Sequence, residues 1–139
     1  MLNGILFTAL LIPILFSSLV YAEGQLDVKI PDESKNSERD YKIVVDKQIM
    51  IVADVANNQD RQQAFAYIVQ IKDQNDVTVS LSWLTGMLSP FQTFSPAQSW
   101  IPSLPGKYDV EIFVWSSIDN PDALSPPQKI IIDVAPIGV

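Results

Sequence analysis

The chain has 139 residues, nine basic and sixteen acidic, a formal net charge of −7, and neither cysteine nor histidine. That length suits one domain beside a targeting segment. Without histidine or cysteine there is no Ser-His-Asp triad, thiol nucleophile, blue-copper site or structural zinc site, and scattered basic residues on an acidic chain argue against a nucleic-acid partner.

The first 22 residues carry no charge, and Ile5–Ala22 is almost wholly apolar. Val20-Tyr21-Ala22 before Glu23-Gly24-Gln25 resembles the cleavage region of a secretory signal peptide. The basic residues that usually open such a peptide are missing, since the first is Lys29, and 18 apolar residues approach the length of a membrane span. Residues 1–22 therefore read as a signal peptide or an uncleaved anchor helix. Both place the remainder outside the cytoplasm, as an extracellular or cell-surface domain.

Residues 23–40 read as a polar, solvated linker, ending in Pro31-Asp32-Glu33-Ser34-Lys35-Asn36-Ser37-Glu38-Arg39-Asp40. The domain proper is expected over 41–135, with a tail at 136–139. Strand signals recur through it. Tyr41–Val45 is a short first strand. Ile49–Val55 alternates, with Ile49, Ile51, Ala53 and Val55 on one face. Phe65, Tyr67, Val69 and Ile71 share a face of the third strand. In the fourth, Val77, Val79, Leu81 and Trp83 oppose Thr78, Ser80 and Ser82, the pattern of a half-buried antiparallel strand that Gly86 and Pro90 end. Residues 91–101 form an irregular strand broken at Pro96. Tyr108–Ser116 sets Tyr108, Val110, Ile112 and Val114 against Asp109, Glu111, Phe113 and Trp115. Lys129–Val134 is the last. Seven strands and almost no helix beyond the N-terminal segment predict an all-β, antiparallel sandwich.

Gly106-Lys107-Tyr108 entering a late strand resembles the tyrosine corner of immunoglobulin-like domains, where the hydroxyl bonds back to the preceding connection. With Ser99-Trp100-Ile101-Pro102 and Phe113-Val114-Trp115, it is similar to CARDB-like and related bacterial and archaeal surface modules. Ala53-Asp54-Val55-Ala56-Asn57, Phe65-Ala66-Tyr67-Ile68-Val69-Gln70-Ile71 and Val114-Trp115-Ser116-Ser117-Ile118-Asp119-Asn120-Pro121 are similar to a repeat in exported proteins of ammonia-oxidising archaea (Thaumarchaeota). The resemblance spans about residues 43–134. It implies an immunoglobulin-like fold and no catalytic residues.

Two surface features bear on function. Asp119, Asp122, Asp73 and Asp76 offer oxygens of the type calcium prefers, although Asp and Asn are also ordinary turn formers. Phe113 and Trp115 point opposite to the Val110–Ile112–Val114 face. Either they form an exposed contact surface, or the 116–127 loop or a flanking strand covers them, or they line the core themselves. Trp83 and Trp100 read as core or rim packing. The expectation is a non-catalytic module, without cofactor, that contacts a protein partner at the cell surface through a strand edge or the Phe113–Trp115 face. The competing expectation is an accessory subunit of an envelope complex, anchored through residues 1–22.

Overall fold

The longest apolar alternations occupy the centre of the molecule. A computed structural model describes residues 26–29 and 43–138. Among them are nine strands: β1 Leu26–Lys29, β2 Ile49–Val52, β3 Asp54–Asn57, β4 Gln63–Lys72, β5 Thr78–Leu88, β6 Thr93–Phe94, β7 Ala97–Trp100, β8 Gly106–Trp115 and β9 Gln128–Val134. β4 and β8 lie side by side in a four-stranded antiparallel sheet of order β5-β4-β8-β9. Their period-two sets, Phe65, Tyr67, Val69 and Ile71 with Tyr108, Val110, Ile112 and Val114, are buried together against the second layer.

The second layer consists of two short ladders, β1-β3-β6 and β2-β7. Leu26 and Val28 of β1, Ile51 of β2, Ala53, and Val55 of β3 enter the same core. The expected strand over 49–55 is therefore two strands, and so is the one over 91–101. β2 runs against β7 as far as Val52 opposite Ala97, whereas β3 meets β6 at Val55 opposite Phe94. Pro96 lies between and has no N–H to give a ladder, so pairing stops there and resumes in a new sheet. The Ser95 hydroxyl donates to the Asp54 carboxylate across this break.

Four other expectations are corrected. Leu26–Lys29, assigned to the polar linker, is a strand paired with Asp54–Asn57, because Leu26 and Val28 have apolar surface to bury on one face. The described part of Tyr41–Val45 contributes a single parallel bridge, Val44 to Ala135, and no strand. The strand count among the described residues is nine, not seven. Gly86 does not end β5, which runs on to Leu88. The Phe65 ring lies directly beneath Gly86, so close that an added Cβ would meet it at 3.0 Å; glycine suits a strand position capped by a ring. The proposed signal or anchor helix, residues 1–22, lies outside the described residues, as do 30–42.

The tyrosine corner is present. The Tyr108 hydroxyl donates to the Leu104 carbonyl at 2.8 Å, and the ring meets Trp100 edge-on at 4.8 Å between centroids. Gly106, at φ 142°, starts the strand in a conformation L side chains rarely adopt, and a Cβ there would lie 2.8 Å from the Gln74 amide nitrogen. Tyr108→Phe keeps the ring packing and strands the Leu104 carbonyl. It is expected to lower the unfolding free energy by about 1–2 kcal/mol with no loss of partner contact. Urea unfolding checks this, and an unchanged midpoint would mean the corner contributes nothing.

Candidate functional site

The outer face of the four-stranded sheet divides into an apolar and a charged half. The register sets Trp83 of β5, Ile68 of β4 and Phe113 of β8 side by side in one row. Thr85, Ala66 and Trp115 make the adjacent row. Ile68 is buried beneath its neighbours, whereas Trp83 is 55% and Leu81 54% exposed. The Phe113 and Trp115 rings lie 6.0 Å apart, tilted by 49°. Both are half-buried.

The sequence-predicted pair Phe113 and Trp115 thus points outward. The loop after β8 pairs with the backbone around Trp115: Trp115 bridges Ala123, the Leu124 N–H donates to the Val114 carbonyl, and the Ser116 N–H donates to the Asp122 carbonyl.

Trp83 is the correction at this site. It was expected in core or rim packing, yet the Val77–Trp83 set lies on the solvent side. Val77, Val79, Leu81 and Trp83 are all exposed, while Ser80, Ser82 and Leu84 face inward and are only half-buried. The reason is position. β5 is an edge strand, where the second layer barely covers the inward side chains, so small serines suffice there. Alternation shows which residues share a face, not which face is buried. Trp100 does pack against the core, as expected.

Below the apolar rows the same face carries ion pairs. Lys72 lies 3.1 Å from Glu111 and 3.4 Å from Asp76; Lys129 bonds Asp109 at 2.8 Å and Lys107 bonds Asp133 at 2.9 Å. The hydrogen bond to Glu111, then that to Asp76, holds the Lys72 ammonium above its ordinary pKa; Asp109 does the same for Lys129. An exposed pair such as Lys107–Asp133 contributes little stability, while Lys72–Glu111 is half-buried; together the pairs give that half of the face its charge.

Of the large apolar side chains left exposed among the described residues, seven lie between Val77 and Phe94: Val77, Val79, Leu81, Trp83, Met87, Phe91 and Phe94. They follow β5 and the turn after it, so exposed apolar surface concentrates along one edge of the sandwich. Phe91 is also held at φ 58°, an unusual conformation for a bulky residue. A shallow apolar cleft of about 210 Å³ lies at this end of β5, lined by Phe65, Leu84, Met87, Leu88 and Phe94 among others.

The acidic candidates perform turn duties. The Asp73 carboxylate accepts from the Asn75 and Val77 N–H groups at 2.8 and 3.0 Å, and Asp76 pairs with Lys72. Asp122 accepts from the Asn120 side chain at 3.0 Å, and Asp119 is exposed in the same loop. Among the described residues no three Asp, Glu, His or Cys side chains converge as metal ligands. No helix among them is long and apolar enough to cross a membrane.

No protein-family model matches the sequence. No curated protein is detectably similar to it. Solved structures are similar in fold. A CARDB domain from Pyrococcus furiosus, in complex with di-metal ions, superposes with a TM-score of 0.54 over 80% of this chain and 86% of that one, at 17% identity. A β-glucuronidase from Bacteroides uniformis matches with a TM-score of 0.55 at 13% identity, over 78% of this chain but only 13% of the enzyme. A β-glucosidase from Erythrobacter marinus gives 0.55 at 15% identity, over 79% of this chain and 15% of that one. The chain has an immunoglobulin-like β-sandwich fold, and it is CARDB-like in that sense. It spans a small fraction of the glycosidases, so their activities are statements about those enzymes.

Proposed function

We propose that this chain is a non-catalytic, extracytoplasmic interaction module that contacts a protein partner through β5 and the adjoining Trp83–Ile68–Phe113 face. One observation carries the reading: the longest strand has an uncharged sequence, TVSLSWLTGML, lies at a sheet edge and exposes Val79, Leu81, Trp83 and Met87 to water. Such an edge supplies backbone hydrogen bonds to an incoming strand, and its side chains supply area to bury. Support for a contact role also comes from the fold, which recurs as one part of larger proteins. The apolar Ile5–Ala22 segment supports export, and the sequence resemblance supports a surface module like those of ammonia-oxidising archaea.

The test is capture. Immobilised wild-type chain is exposed to envelope and secreted fractions of the source cells, beside Trp83→Ala and Phe113→Ala. A partner retained by wild type and reduced at least about tenfold by Trp83→Ala supports the reading, as expected for loss of a buried aromatic anchor. Equal recovery on all three removes it. Turnover of a glycoside or ester substrate that disappears with one carboxylate pair would overturn the non-catalytic part. Mass spectrometry of the native protein tests export: an N-terminus at Glu23 marks cleavage, and intact residues 1–22 in the membrane fraction mark an anchor.

A further inference from the structure

Resting on the contact role proposed above, we infer that the partner strand is β5 of a second copy of this chain, paired antiparallel about a two-fold axis at Leu84. The two edges of the four-stranded sheet are treated differently. β9 carries Lys129 and Asp133 and is bracketed by Pro126-Pro127 and Pro136, devices that discourage strand addition. β5 has no charge and no proline over eleven residues, and among the described residues it pairs with β4 alone.

A bulge sets the part of β5 available for pairing. Ile71 is opposite Ser80 and Lys72 is opposite Thr78, so Val79 is the extra residue. The regular stretch is Ser80–Leu88, about 30 Å long. Its midpoint is Leu84. Antiparallel pairing about that residue sets Leu81 against Met87 of the second copy and Trp83 against Thr85 of the second copy on the outer face. On the inner face it sets Ser82 against Gly86 of the second copy. Large apolar residues meet apolar or β-branched ones outside, while inside Leu84 meets its own copy and Ser80 meets Leu88 of the second copy. A two-fold contact requires such a self-complementary pattern. Because opposed residues keep the same side, the Trp83–Ile68–Phe113 row of each copy runs on into the Thr85–Ala66–Trp115 row of the other, giving one apolar band.

Charge permits this arrangement. Each copy carries −7, so copies repel unless they meet where neither presents charge. Antiparallel pairing brings the end bearing Lys72, Asp73 and Asp76 to the uncharged Ser89–Gln92 turn of the other copy. Contact limited to one strand edge falls below the roughly 1,600 Å² of a standard interface, so the dimer is expected to depend on concentration.

Sedimentation equilibrium of the full chain between about 1 μM and about 1 mM tests this. Wild type is expected to pass from monomer to dimer, with Trp83→Lys remaining monomeric; circular dichroism verifies that the variant is folded. Because the chain has no cysteine, Leu84→Cys supplies the single thiol and is expected to give a disulfide-linked dimer under mild oxidation, whereas Lys129→Cys on the opposite edge is not. If Leu84→Cys fails to fold, the Trp83→Lys comparison decides. A wild type that stays monomeric throughout overturns the inference, as does a dimer that Trp83→Lys leaves intact. A monomeric wild type that still captures a different protein through Trp83 sinks the self-pairing and leaves the contact role standing.

Discussion

Asn57→Ala is expected to lower the unfolding free energy by about 3 kcal/mol, a large loss for one side chain. Asn57 closes β3 and is completely buried. Its amide donates to the Arg61 carbonyl at 2.8 Å and to the Ser89 carbonyl at 3.0 Å, and its oxygen accepts from the Gln59 N–H at 3.2 Å. Its own N–H donates to the Gln92 carbonyl at 2.9 Å. One side chain therefore ties the β3–β4 connection to the Ser89–Gln92 turn that ends β5 and holds Phe91 at positive φ. Truncation removes three hydrogen bonds at once from a part-buried clasp and leaves a void where a fully buried side chain stood. Asn57→Asp should be worse at neutral pH, because a carboxylate would face two carbonyl oxygens; the deficit should shrink on acidification, as the protonated acid regains one donor. Urea unfolding at pH 7 and pH 4 reads both. A loss under about 0.5 kcal/mol for the alanine variant would show that the clasp is not structural.

Tyr67 is expected to behave in the opposite way. It is fully buried at the centre of β4, and its hydroxyl has no hydrogen-bond partner among the described residues. Tyr67→Phe removes a buried, unpaired polar group and should stabilise the fold by about 1 kcal/mol, net of the small void left. Burial also pushes the Tyr67 phenol up to about 12 from its ordinary 10. The folded state thus holds this proton more tightly than the unfolded chain. Its contribution to stability is complete below pH 10, falls as pH rises from 10 to 12, and is lost above that by about 3 kcal/mol. Tyr67→Phe should flatten this alkaline decline while leaving the profile below pH 10 parallel to wild type. Unfolding curves at stepwise alkaline pH measure it; superimposable wild-type and variant profiles would falsify the assignment.

How much of this was legible beforehand differs by element. β4 and β8 were legible because each opposes a continuous apolar row to a more polar one, and a central strand buries the apolar row. The tyrosine corner was legible because glycine, a one-residue gap and tyrosine form a local device. β1 was missed: four residues with two apolar ones resemble a polar linker until a partner strand exists. Asn57 stood out only as the last residue of the Ala53-Asp54-Val55-Ala56-Asn57 stretch. Its role depends on carbonyls of Arg61 and Ser89, and the second lies 32 residues away in sequence. The contact face was half legible. Phe113 and Trp115 were singled out from the parity of one strand, but Trp83 joins them through cross-strand register, which no single strand encodes.

Residue order alone settled the exclusions and the period-two faces, because missing side-chain chemistry and the pleat are both local properties. Which face of β5 met water, and that β5 lay at an edge at all, waited for the packing of two layers. Burial is a relation between strands, and one strand's pattern is equally satisfied by either side until its neighbours are in place.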